Sequence, residues 1–106
     1  MSDIASVKAE TRDDTTVVFL RGEIDMANAA DIHSDILAVS GDGPCVIIDL
    51  SGVTYLDSAG VRLVSDLLRR FHDEARTLLF AIPKQATCRR VLELTLPDLP
   101  VVGTTE

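Results

Sequence analysis

An α/β fold is predicted, with a mostly parallel sheet of four to five strands, an antiparallel first edge strand and helices packed on the sheet. Two apolar runs, Cys45 to Leu50 and Leu78 to Ile82, lack the alternation of a strand wetted on one face and read as strands covered on both. Helical periodicity follows each of them. A turn at Arg12-Asp13-Asp14-Thr15 joins two earlier β-rich stretches into a hairpin, because short polar side chains there bond their own backbone.

Taken in order, Ile4 to Glu10 alternates weakly, with Ala5, Val7 and Ala9 opposed to Ile4, Ser6, Lys8 and Glu10, as in an edge strand. Thr16 to Gly22 is β-branched and more continuous, hence more buried. Met26 to Val39 places Ala29, Ile32, Ile36 and Val39 on one helical stripe, with Asp25 or Asn28 available as its cap. Ser40 to Pro44 stops that helix through glycine flexibility and the missing proline donor. After the strand from Cys45, a turn is expected at Ser51-Gly52. A helix from Ser58 to about Asp73 then buries Val61, Val64, Leu68 and Phe71, with Gly60 and Leu67 extending the stripe. Pro83 ends the next strand. A third helix, about Gln85 to Leu94, buries Cys88, Val91, Leu92 and Thr95. Pro97 and Pro100 forbid its continuation, Val101-Val102 adds a short last strand, and Gly103 to Glu106 reads as a flexible tail.

A chain of 106 residues is expected to form one domain over its whole length, since two cores would each be too small. Seventeen acidic against ten basic residues give a net charge of −7, which disfavours a phosphate backbone or an anionic membrane and fits solubility or a basic protein partner better. No apolar run approaches the ~20 residues that span a bilayer, and Met1-Ser2-Asp3-Ile4 does not begin a secretory signal, so a cytoplasmic location is expected. Cys45 and Cys88 lack metal or redox spacing and read as inert core thiols. No metal or other cofactor is implied.

The stretch of most chemical interest is Asp57-Ser58-Ala59-Gly60, which opens the second helix just past the carboxyl end of a strand, where open α/β sheets place functional groups. Two readings stand side by side. Asp57 and Ser58 are favoured helix caps, each stabilising by about 1 kcal/mol. Ser58 also offers a hydroxyl where helix-start amides lack acceptors, so that a phosphate would meet donors and add about −1.5 to −2 charges beside Asp57. Gly60 serves either close helix-to-sheet packing or the approach of a partner's backbone. Asp25 is likewise a candidate cap.

The segment Ile48-Asp49-Leu50-Ser51-Gly52-Val53-Thr54-Tyr55-Leu56-Asp57-Ser58-Ala59-Gly60-Val61, with Leu20-Arg21-Gly22-Glu23-Ile24-Asp25 upstream, resembles the STAS domain, specifically the free-standing bacterial anti-sigma factor antagonists. The resemblance covers nearly the whole chain, although the family's closing helix has no counterpart after Val102. It implies that Ser58 is phosphorylated by an anti-sigma factor that is also a serine kinase. The unphosphorylated form would bind that kinase and release the sigma factor, and a serine phosphatase would reset the switch. It further implies a partner surface of Asp25, Asp57, Ser58, Ala59, Gly60 and Arg62, and no catalytic residues, with a monomer favoured.

Two departures shape that expectation. Ala59 stands where the family usually has a second Ser or Thr, leaving one hydroxyl, and Arg62 stands where a small residue is common. One turn beyond Ser58, Arg62 is spaced to reach a phosphate there. The alternative implied by the same resemblance is an unphosphorylated scaffold or regulatory subunit of an ABC-type lipid transporter. An enzyme would need a base for Ser58, and His33 and His72 both sit among polar neighbours on helices. The Gly-x-Ser-x-Gly elbow, phosphate-cradling glycine loops and metal clusters are absent from the sequence.

Overall fold

In the computed structural model, which describes residues 5–103, a five-stranded sheet runs in sequence order, β1 (Ser6–Arg12), β2 (Thr15–Ile24), β3 (Cys45–Leu56), β4 (Thr77–Ala81) and β5 (Val101–Val102). β1 is antiparallel to β2, and every later pairing is parallel. The parallel strands are joined by α1 (Ala29–Ser40), α2 (Ser58–Asp73) and α3 (Thr87–Thr95). The expected hairpin forms with Arg12 opposite Thr15, and Asp13 takes the left-handed φ of 55° that an aspartate tolerates in so tight a turn.

The core draws on the sheet and on all three helices, α3 contributing Cys88 and Leu92. Val18, Ile48 and Phe80 are register partners across β2, β3 and β4, and all are at most 1% exposed. α1 adds Ile32 and Ile36, and α2 adds Leu63, Val64, Leu67 and Phe71. On the opposite face of β3 and β4, Ile47 and Leu79 are half-buried, whereas Asp49 and Ala81, paired across the two strands, are buried. The expected double coverage of these strands is therefore incomplete, reaching Asp49 and Ala81 but leaving Ile47 and Leu79 partly open. Each parallel step moves in the same direction across the sheet, and right-handed crossovers in a series of such steps land on the same face.

Several boundaries differ from expectation for local reasons. The turn expected at Ser51-Gly52 is a strand irregularity: β3 continues beside β2 to Leu56, with register shifts between Phe19 and Arg21 and between Gly22 and Glu23. Gly52 is there because a Cβ would lie 2.8 Å from Arg21 Cγ and 3.0 Å from the Leu20 carbonyl oxygen. Asp49 Oδ1 accepts from the Ser51 amide at 2.8 Å and its hydroxyl at 2.6 Å. α1 begins at Ala29, after a turn over 26–28. Its stripe runs through Ile32, Ile36 and Ser40, leaving Val39 39% exposed, and Ser40 enters the core by donating its hydroxyl to the Ile36 carbonyl at 2.6 Å. In α3 only Cys88 and Leu92 are buried, while Val91 and Thr95 are exposed. The expectations for Met1 to Ile4 and Thr104 to Glu106 lie outside the described residues.

The two thiols also part company. Cys88 is buried, whereas Cys45 is half-buried at the start of β3, so only the first is a core thiol. Burial pushes the Cys88 thiol up from its usual range, because the thiolate would be desolvated. Its contribution to stability is therefore complete below the unfolded thiol's pKa of about 8.5 and is lost as pH rises through the higher folded value. Urea midpoints measured from pH 7 to 10 are expected to fall more steeply in the parent chain than in Cys88→Ala.

Candidate functional site

The carboxyl ends of β2 and β3 lie side by side, with Ile24 opposite Leu56, and each strand runs directly into a polar turn. Those two turns make the site. The Asp57 amide donates to the Ile24 carbonyl at 3.3 Å, extending the strand pairing one step past Leu56. The Met26 amide donates to Asp57 Oδ2 at 3.3 Å, a tie between residues 31 apart in sequence. Asp25 and Asp57, distant in the chain, are thereby brought together.

Asp57 is the N-cap of α2, and its Oδ1 accepts from the Ala59 amide at 2.9 Å and the Gly60 amide at 3.1 Å. The cap reading therefore holds for Asp57. It does not hold for Ser58, which follows the cap as the first helical residue with its side chain exposed. The expectation that a phosphate there would find several open helix-start amides is corrected for all but the amide of Ser58 itself. The amides of Ala59 and Gly60 already face a carboxylate, and that of Val61 donates to the Asp57 carbonyl at 3.0 Å.

Asp25 organises the opposite turn. Its Oδ1 accepts from the amides of Ala27 at 2.9 Å and Asn28 at 3.3 Å, and its carbonyl accepts from Ala29 at 2.9 Å. Asn28 holds the N-cap position of α1 without a side-chain bond to that helix. It clamps the turn from the other side, accepting from the Asp25 amide at 3.0 Å and donating to the Glu23 carbonyl at 2.9 Å. The turn is thus rigidly bonded while Met26 at its tip is 81% exposed.

Gly60 is buried, and a Cβ on it would lie 2.4 Å from Leu56 Cδ1 and 3.3 Å from Ile24 Cγ2. Its role in the packing is inward: it lets the first turn of α2 close on the ends of both strands. Ala59 is half-buried and Arg62 exposed. Both line a groove of about 510 Å³ between α1 and α2, with Met26, Ala29, His33 and Asp66 among its other walls. Small side chains keep the floor shallow, and polar ones rim it. Leu56 is buried and Val61 half-buried against the core, so the apolar surface near Ser58 belongs to Ala59 and Met26.

Met26 and the groove are what the residues alone did not reveal. A methionine after a capping aspartate carries no signal of its own, and the groove depends on how closely α1 and α2 approach. Among the described residues, no group of three or more histidine, cysteine or acidic side chains could hold a metal. No helix among them is long and apolar enough to cross a membrane.

The STAS domain family model matches residues 6–105. The chain is similar to the crystal structure of an anti-sigma factor antagonist from Mycobacterium paratuberculosis, with 30% identity and a TM-score of 0.84 over 99% of this chain and 92% of that one. It is similar to the Bacillus cell fate determinant SpoIIAA in its phosphorylated form, at 25% identity and a TM-score of 0.69 over 95% of this chain and 93% of that one. The unphosphorylated form of SpoIIAA shares the fold, at 24% identity and a TM-score of 0.75, over 95% of this chain and 90% of that one.

Proposed function

The chain belongs to the STAS domain family, and from that membership we propose that it is an anti-sigma factor antagonist switched by phosphorylation of Ser58. The observation that carries the proposal is an exposed serine hydroxyl held at the mouth of a rigid two-turn site, beside Asp57 and across from Asp25. The similar proteins include one solved as an anti-sigma factor antagonist and one solved in a phosphorylated form, which supports this reading.

In the unmodified state the turn bearing Met26, the Ser58 hydroxyl and the shallow floor at Ala59 would together meet an anti-sigma factor with serine kinase activity. The kinase transfers the γ-phosphoryl group of ATP to Ser58 Oγ: the Oγ–P bond forms, the bond to the ADP oxygen breaks, and the hydroxyl proton leaves. About −1.5 to −2 charges then stand next to Asp57, where the unmodified serine hydroxyl carried none. Binding is lost, and the anti-sigma factor is free to hold its sigma factor until a serine phosphatase hydrolyses the ester.

Ala59 confines the chemistry to one hydroxyl, so intact mass after incubation with the cognate kinase, ATP and Mg²⁺ is expected to rise by one phosphate. Ser58→Ala is expected to show no increase. A phosphate retained by that variant would place the acceptor elsewhere. A chain that copurifies with a transporter permease and takes no phosphate would instead be a scaffold.

A further inference from the structure

A phosphoryl group on Ser58 would arrive among negative charges with the amides of the next three residues already engaged. Asp57 Oδ1 holds the amides of Ala59 and Gly60, its carbonyl holds that of Val61, and its Oδ2 holds that of Met26. To use those donors the phosphate would have to displace an ionised carboxylate from its cap. Asp25 closes the neighbouring turn, and Asp66 lines the groove beyond. Positive charge near this point comes from Arg62 on α2, with His33 facing the groove from α1.

Arg62 is exposed, and among the described residues it has no ion-pair partner. Asp66, one turn further along α2, lies instead against Arg69 at 3.8 Å. Residues four apart on a helix share a face, and a guanidinium presents paired N–H groups that match two phosphate oxygens. We propose that Arg62 is the intramolecular counter-ion of the Ser58 phosphate. The phosphate draws the guanidinium from the rim of the α1–α2 groove towards the start of α2. This inference rests on phosphorylation of Ser58 as the switch and adds a second consequence to it. Modification changes the groove as well as the serine: a cation at its rim is withdrawn and neutralised, and the net charge presented to a partner shifts over a wider area than the ester itself.

The test needs no kinase. Phosphoserine is placed at position 58 by suppression of an amber codon, and the second phosphate ionisation is followed by ³¹P NMR in the otherwise native chain, in Arg62→Gln and in Arg62→Lys. A neighbouring cation favours the dianion. The ionisation is therefore expected about half a pH unit or more lower with arginine than with glutamine, and lysine is expected to recover part of the difference. Because Arg62 is exposed, the glutamine variant is expected to keep the parent's amide spectrum away from α2. In ¹H–¹⁵N spectra the Arg62 Nε–H is expected to move on phosphorylation. Superimposed titrations of the arginine and glutamine chains would overturn the clamp. Failure of the cognate kinase to label Ser58 would instead overturn the switch, and the two results are read in separate experiments.

Discussion

Ser58→Asp is expected to weaken binding of the anti-sigma kinase at least tenfold by calorimetry, with Ser58→Ala close to the parent. The substitution leaves the Asp57 cap in place, because the Ser58 side chain is exposed and takes no part in it. It adds a carboxylate next to Asp57, in a chain already at −7. Two like charges about 5 Å apart interact by roughly 3 kcal/mol at an effective dielectric of ~20, more than the ~1.4 kcal/mol that separates a tenfold change. Between like carboxylates in the free protein this is relieved by water and by side-chain motion. On a docked surface it is not, so the penalty falls mainly on the complex. Raising ionic strength is expected to narrow the difference between the aspartate and alanine variants, since screening weakens exposed charges. Equal affinities at low salt would show that bulk, and not charge, operates the switch.

Gly60→Val is expected to destabilise the fold by about 2–3 kcal/mol in urea titrations, the range for forcing extra atoms into a packed core. The added Cβ would lie 2.4 Å from Leu56 Cδ1 and 2.8 Å from Leu56 Cγ. Leu56 is only 7% exposed and has little room to rotate. Gly60→Ala meets the same leucine but regains about 1 kcal/mol of helix propensity, so its net effect is smaller. Either side chain would lever the first turn of α2 away from Ile24 and lengthen the bond between Asp57 and the Met26 amide. Faster amide exchange at Met26 is therefore expected alongside the loss of stability. A valine variant as stable as the parent would mean that the helix start yields without cost.

The legible and illegible parts of this protein divide along a physical line. The bounds of α2 were readable because an aspartate cap, a dense apolar stripe and a polar outer face agree over Ser58–Asp73. Even so, the stripe read from the sequence omits Leu63, which the structure buries, and includes Val61 and Leu68, which it half-buries. α1 starts later than its periodicity suggests because Asp25 and Asn28 bond to each other's backbone and hold 26–28 out of the helix. The continuation of β3 past Gly52 was hidden because a glycine admitting the neighbouring strand looks, in sequence, like a glycine in a turn. Arg76 gave no signal either. It anchors the end of α2 by donating to the Gly43 carbonyl at 2.8 Å and covers the Phe71 ring at 4.3 Å from its centroid. The candidate site residues are legible in the motif, whereas the pairing of Asp57 with the Met26 turn emerges only when the strands lie side by side.

Under the proposed switch, that pairing also dates the moment at which the protein would become regulable. Because Met26 and Asp57 meet only after two parallel strands separated by a helix have joined, the site is a product of long-range closure, among the slower steps of folding. A chain released early, or opened locally, carries the same serine on a loose segment without the tie that orients it. A kinase that reads the joined turns would pass over such a chain. The pool available for switching would then be limited to finished molecules, with nascent and damaged copies silent in the circuit.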